Sequence, residues 1–339
     1  MNDGSTPTAL VARVHALGSP DQVRLDPVPV PSPRPGELLI AVHAAGVNYP
    51  DVLMIGGSYQ TRTPLPFVPG HEAAGVVAGI GDGVSGWSVG DRVAVLAPGA
   101  FAEFLVAPAQ AAHPIPASVS VIDAAATWVC HLTAYHALRS VAEVSAGETV
   151  LVLGAGGGLG LAAVELAAIR GATVIAAASD PRKLAAARAR GARYVVDYSE
   201  GDLRRHLRDI VGASAVDVVL DPVGGSVSED ALRELRWGGR FVTLGYASGD
   251  IPRIPLNVVM LKGVTVKGLE VRTFAAHDPE AAERDRREFT ELWEAGRIRP
   301  FVDATFPLSH VRDALQHVAG RRSVGKTVVL IRDDAGRGM

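Results

Sequence analysis

"LVLGAGGGLG", residues 151 to 160, places five glycines within ten residues, directly behind an apolar run. Glycine gives up packing area and costs backbone entropy, so such density needs a physical reason. A close helix–strand contact is one. A pyrophosphate cradle is the other: without side chains, a ligand reaches the backbone N–H groups and the positive end of the following helix, "LAAVELAAIRG". Context favours the second reading. The turn follows a strand, opens a helix, and leads to another strand about twenty residues on.

Outward from this turn the same grammar repeats. "TVLVLG", "ATVIAAAS", "YVVDY", "VDVVLD", "RFVTLG" and "VTVKGLE" read as buried parallel strands separated by helices. That alternation predicts a doubly wound α/β sheet. Before it, from residue 8 to 130, the texture differs: "ELLIAVHAAGV", "EAAGVVAGIGDGV", "GDRVAVLAPG" and "AFAEFLVAP" are short strands punctuated by Gly and Pro. Such spacing predicts a largely β, barrel-like domain. After it comes a helix with Asp278 as N-cap, Pro279 at its first position and Gly296 past its end. A strand "FVDATFP", a helix capped by Ser309 and a strand "GKTVVLI" follow. This tail is expected to return to the first domain.

The 339 residues are 48% hydrophobic with a net charge of -3, enough for a sizeable core and more readily two domains than one. Interspersed charges of both signs argue against a nucleic-acid surface. The first twenty residues, with Asp3, do not read as a signal peptide. No apolar run reaches the ~18 residues of a membrane span. The single cysteine, Cys130, excludes an internal disulfide and fits a reducing compartment, so a cytoplasmic protein without membrane partners is expected.

The second strand distinguishes the dinucleotide. An NAD site usually ends that strand in an acid that holds the ribose 2′-OH. Here "TVIAAA" ends at Ala178 and Ser179, and Asp180-Pro181 reads as N-cap and first helical residue. Arg182 and Lys183 then fall in the first helical turn, where the dipole disfavours cations. A 2′-phosphate beside Ser179 would reverse that cost, so NADPH is the expected cofactor.

The first domain carries "AAGVNYPDVL" and "PFVPGHEAAGVV". With Gly90-Asp91-Arg92-Val93, Thr133-Ala134-Tyr135, the glycine turn and Gly325-Lys326, these residues make the chain resemble the medium-chain dehydrogenase/reductase superfamily. Within it, the chain resembles the zinc-free NADPH:quinone oxidoreductase branch. The resemblance spans nearly the whole length. It implies a GroES-like β-barrel domain over 1–131 and 271–339, a Rossmann-like NADPH-binding domain over 132–270, and a homodimer.

Zinc-dependent members of this superfamily carry a metal-binding Cys where this chain has Asn48, and their structural zinc needs four cysteines. His71 and Glu72 remain, and Cys130 lies three residues before Thr133, one step from the superfamily's usual ligand position. One residue on a helix turns a side chain by about 100°. A buried thiol and a hydrogen-bonded His71 are therefore the expected readings, with no metal site. No Tyr is followed four residues later by Lys, and no G-x-S-x-G elbow occurs. Without a Lewis acid, the natural substrates are acceptors that take hydride unaided: quinones, or alkenes conjugated to a carbonyl.

The resemblance also implies residue roles. Asn48 would approach the nicotinamide end and orient cofactor or substrate, and Thr133 would support the cofactor. Gly157, Gly158, Leu159 and Gly160 would lie at the pyrophosphate. Ser179, Lys183 and Tyr198 would surround the 2′-phosphate, with Arg321 contributing from the tail, and Leu244, Gly245 and Tyr246 would line the nicotinamide. For Tyr198 and Tyr246, partly buried aromatics at strand ends are an equal reading. One departure stands out. Several quinone reductases of this branch have a tyrosine where this chain has Leu53, whereas Tyr59 matches a tyrosine of enoyl-thioester reductases. Three readings follow: a quinone reductase, an enone or enoyl-thioester reductase with Tyr59 catalytic, and a dinucleotide-binding protein without turnover.

Overall fold

The computed structural model describes residues 7–332 apart from residue 200. The chain divides into two compact units, one running to Val129 and resuming at Val302, the other spanning Cys130–Phe301.

In the first unit β1 (Thr8–Val14) and β2 (Val23–Pro29) form an antiparallel pair. A larger sheet begins with β3 (Glu37–Val47), β4 (Glu72–Ile80), β5 (Arg92–Leu96), β6 (Phe104–Pro108) and β7 (Ala112–Pro114). The long strand β3 pairs antiparallel with both β4 and β6. Leu38, Ile40, Val42, Val93, Val95 and Phe101 are buried together in its core. Each fully buried aliphatic or aromatic side chain contributes ~1.5–3 kcal/mol, so this cluster is a large favourable contribution to the sheet.

The second unit is built on six parallel strands: β8 (Thr149–Leu153), β9 (Thr173–Ala178), β10 (Tyr194–Asp197), β11 (Val216–Asp221), β12 (Leu235–Thr243) and β13 (Thr265–Gly268). Their order is β10-β9-β8-β11-β12-β13, so the winding reverses between β8 and β11. The crevice beyond the carboxyl ends of those two strands is where such sheets take ligands. Helices Gly158–Ile169 and Pro181–Ala189 connect the first three strands, and Leu203–Val211 crosses back to β11 to pack with Ser226–Glu234. Leu151, Leu153, Ile175, Val219 and Phe241 form the core beneath the last pair.

The remaining strands, β14 (Val302–Pro307) and β15 (Lys326–Leu330), rejoin the first sheet: β15 pairs antiparallel with β3 and parallel with β14. The helix before them, Pro279–Glu294, belongs to the second unit and is capped by Asp278, whose carboxylate accepts from Ala281 N at 3.0 Å.

Two local expectations need correction. Ser309 caps no helix; it sits inside a 3-10 turn, Leu308–His310, and the helix Val311–Ala319 starts only after it. The fifth parallel strand starts at Leu235, well before Arg240: Leu235 pairs with Val216, the chain bulges out through the exposed Arg236, Trp237 and Gly238, and pairing resumes between Arg240 and Val218.

Candidate functional site

At the end of β8 the chain turns through Gly154, at φ +58, and enters the helix at its N-cap, Gly157. The turn is tied down by Ala155 N to Ala177 O at 3.0 Å and Gly157 N to Gly154 O at 3.0 Å. Each glycine has its own reason. A Cβ on Gly160 would stand 2.1 Å from Gly154 O, so this glycine serves the close helix–strand contact. A Cβ on Gly156 would stand 2.1 Å from Lys183 Cβ, so this one makes room for a lysine stem. Gly157 differs: its nearest neighbour would be Gly154 O at 3.6 Å, ordinary contact. Protein packing does not demand a glycine there, and with Gly158 and Leu159 it stays partly exposed at the N-terminus of a twelve-residue helix without a side-chain cap. The first N–H groups of that helix have no intrahelical acceptor and suit a phosphate. The cradle and its dipole fit the pyrophosphate of a dinucleotide.

Beside it, β9 ends at Ala178 without a carboxylate. Asp180 is spent as a cap: it accepts from Arg182 N at 2.8 Å and from the Arg182 guanidinium at 2.9 Å. Those bonds hold its carboxyl below the usual carboxylate range. Lys183 instead lays its stem over Gly156. Tyr198 arrives by donating its backbone N–H to Ala178 O at 3.1 Å, and its ring packs partly on the sheet's core. Ser179 is exposed between them. Ser179, Lys183 and Tyr198 therefore gather at the ends of β9 and β10.

At the switch point the structure adds a residue that sequence reasoning passed over. Asp221, fully buried at the end of β11, accepts from Val223 N at 2.8 Å, Gly224 N at 2.9 Å and Ser228 Oγ at 2.5 Å. Burial pushes its carboxyl up against the pull of these donors. It folds the next loop so that Val223 leans on Gly154 and Tyr246 on Gly224. Leu244 N donates to Asp221 O at 2.8 Å, which brings Leu244, Gly245 and Tyr246 to the same end of the sheet. There Thr243 Oγ1 is buried and, among the described residues, has no hydrogen-bond partner. The sequence signal was an apolar strand ending in an acid before a Gly-Gly pair.

Asn48, Tyr59 and Arg321 belong to the first unit, whereas Thr133, half-buried in the helix Trp128–His136, belongs to the second. Arg321 is exposed, at φ +55, just beyond the helix Val311–Ala319. Tyr59 is half-buried past the helix Tyr49–Ile55. Asn48 begins that helix and is buried; its Nδ2 donates to Glu72 Oε1 at 2.9 Å and its Oδ1 accepts from Lys326 Nζ at 2.6 Å. His71 bonds through Nδ1 to the buried Asp51 at 2.8 Å, with the ring 36% exposed. Cys130 is buried. Among the described residues no three His, Cys, Asp or Glu side chains converge to hold a metal ion. No described helix is long and apolar enough to cross a membrane.

Residues 34–117 match the family model of the alcohol dehydrogenase GroES-like domain, and residues 158–285 match that of the zinc-binding dehydrogenases. The chain is 38% identical to quinone oxidoreductase-like protein 2 of Rattus norvegicus over 300 residues, 88% of this chain and 86% of the relative. The chain belongs to the quinone oxidoreductase branch of the medium-chain dehydrogenase/reductase superfamily. Escherichia coli quinone oxidoreductase, solved in complex with NADPH, superposes with a TM-score of 0.87 at 29% identity, covering 96% of this chain and 100% of the other. A mycobacterial protein solved in complex with NADPH gives a TM-score of 0.87 at 32% identity, covering 95% and 100%. Family membership agrees with the α/β architecture, a GroES-like unit and a Rossmann-like sheet.

Proposed function

We propose that this protein is an NADPH-dependent oxidoreductase that reduces a quinone or a related electron-poor conjugated carbonyl without zinc. The observation that carries the reading is the end of β9. Ala178 stands where an NAD site has an acid, Asp180 is consumed as a cap, and Lys183 crosses the glycine turn beside Ser179. The cofactor, when bound, supplies the hydride. The chain's own residues select and hold it: Gly157, Gly158 and Leu159 at the pyrophosphate, Ser179, Lys183 and Tyr198 at the 2′-phosphate, with Arg321 assisting. Thr133 and Leu244 to Tyr246 support the nicotinamide end, and Asn48 orients the reacting groups. Glu72 and His71 already hold internal partners, which supports a metal-free route.

Tyr59 motivates the second reading, an enone or enoyl-thioester reductase. Hydride added to an enoyl thioester leaves an enolate whose carbon must be protonated, and a positioned acid contributes ~10²–10⁴-fold to such a step. A reduced quinone leaves a phenolate-like anion that collects its proton from water. NADPH oxidation should therefore proceed with quinones in the presence of a strong chelator. The Tyr59→Phe variant should lose less than about tenfold with quinones, or ~1.4 kcal/mol. Fast turnover of enoyl thioesters that drops at least about a hundredfold in the variant would assign the second reading.

We also infer a cytoplasmic homodimer. Among the described residues no strand pairs with the outer side of the edge strand β13, and around it Trp237, Leu256, Met260 and Leu261 are each more than two-thirds exposed. Pairing across a two-fold axis would cover both. Light scattering at micromolar concentration should give twice the chain mass, and Val266→Pro should shift it toward the monomer; a monomeric wild type would refute the assembly.

A further inference from the structure

Glu72 is 1% exposed, yet three donors converge on its carboxylate. Lys326 Nζ and Asn48 Nδ2 donate to Oε1 at 2.6 and 2.9 Å, and Val129 N donates to Oε2 at 2.9 Å. Lys326, itself 3% exposed, also donates to Asn48 Oδ1 at 2.6 Å and Val47 O at 3.2 Å. An ammonium has three protons, and oxygens of Glu72, Asn48 and Val47 accept from it. The orientation of the Asn48 amide is then chemically decided. A lysine only donates, so Oδ1 must face it; an ionised carboxylate only accepts, so Nδ2 must face Glu72.

We propose that Lys326 is a positioning residue. Its ammonium supplies to Asn48 and Glu72 the positive charge that a metal ion supplies in zinc-dependent relatives at the position of Asn48, and it locks the Asn48 amide in one orientation. The kinetic consequence rests on the reading of the chain as an NADPH oxidoreductase; the structural consequence does not. A lone amide at this position would rotate with whatever partner was present. With Lys326 on one side and Glu72 on the other, turning it over would set donor against donor and acceptor against acceptor.

The test is the neutral double variant Lys326→Met/Glu72→Gln, which avoids stranding a buried charge. Its new glutamine can accept from Val129 N and donate to Asn48 only if the Asn48 side chain turns over. In the protein without cofactor, NMR should show the Asn48 side-chain N–H protons well protected in the wild type. In the double variant they should shift and exchange at least about tenfold faster. With cofactor and the best quinone, kcat should fall about tenfold to a hundredfold while the NADPH Kd stays within about twofold, since misorientation slows the reaction without weakening binding. Asn48→Ala should lose as much, and adding it to the double variant should lose no more. Wild-type protection together with wild-type kcat in the double variant overturns the proposal. A wild type that reduces none of the quinones, enones or enoyl thioesters offered with NADPH defeats the functional reading instead, and the exchange measurement still decides the role of Lys326.

Discussion

The single variant Lys326→Met should lose about 3–5 kcal/mol of stability, because it strands an ionised carboxylate in the core of the first unit. An exposed pair would be worth no more than about 1 kcal/mol. The difference is burial: the two side chains are 3% and 1% exposed and 2.6 Å apart. With the ammonium gone, Asn48 Nδ2 and Val129 N are the donors left to Glu72 among the described residues, two neutral groups for a full charge. Glu72→Gln strands the cation instead and should lose a comparable amount. Combining the two should recover most of either loss, since a neutral pair of similar volume carries a far smaller desolvation penalty than an unpaired buried charge. Urea unfolding of the four proteins gives the coupling energy directly. Two single losses that simply add would mean that the ammonium and the carboxylate do not sense each other, contrary to the geometry.

Lys183→Ala should weaken NADPH binding by about ten- to a hundredfold, the worth of one charge-assisted hydrogen bond to phosphate at ~1.5–3 kcal/mol. NADH, which lacks the phosphate, should bind nearly as before. The lysine stem also covers Gly156, so truncation opens a gap at the turn as well as removing charge. Lys183→Met keeps the stem and loses only the ammonium. If charge decides, methionine and alanine should lose NADPH affinity alike; if packing decides, only alanine should, and for both cofactors. Equal affinity of the wild type for NADPH and NADH would sink the selectivity argument at its root.

Much of this was legible in the sequence, because most of the signal is local. Strand β3 coincides with "ELLIAVHAAGV", and the caps at Asp180 and Asp278 follow from residue type and spacing. Ser309 failed for a local reason too: a good cap residue was already inside a tighter turn. The glycine turn announced a ligand, but which glycine served packing and which served access needed coordinates. The buried network was illegible for a different reason. Lys326 lies 254 residues from Glu72 and 278 from Asn48, so no window of sequence contains the pair. Gly325-Lys326 was visible as a motif without a role. Asp221 was hidden by its neighbours, since an acid closing an apolar strand looks the same whether it faces water or folds a loop.

The return of β15 to the first sheet has a consequence for how the molecule is made. During synthesis the ribosome delivers Glu72 early and Lys326 only after the whole second unit has emerged. Domains generally fold as units while the chain lengthens, so the second unit can close while the first is still incomplete. Until β15 slots in beside β3, the early strands hold an acid at a position that will become interior and have no cation to meet it. The last piece inserted is thus the one that neutralises the first sheet, and a nascent chain can finish that sheet only after the second unit has been made.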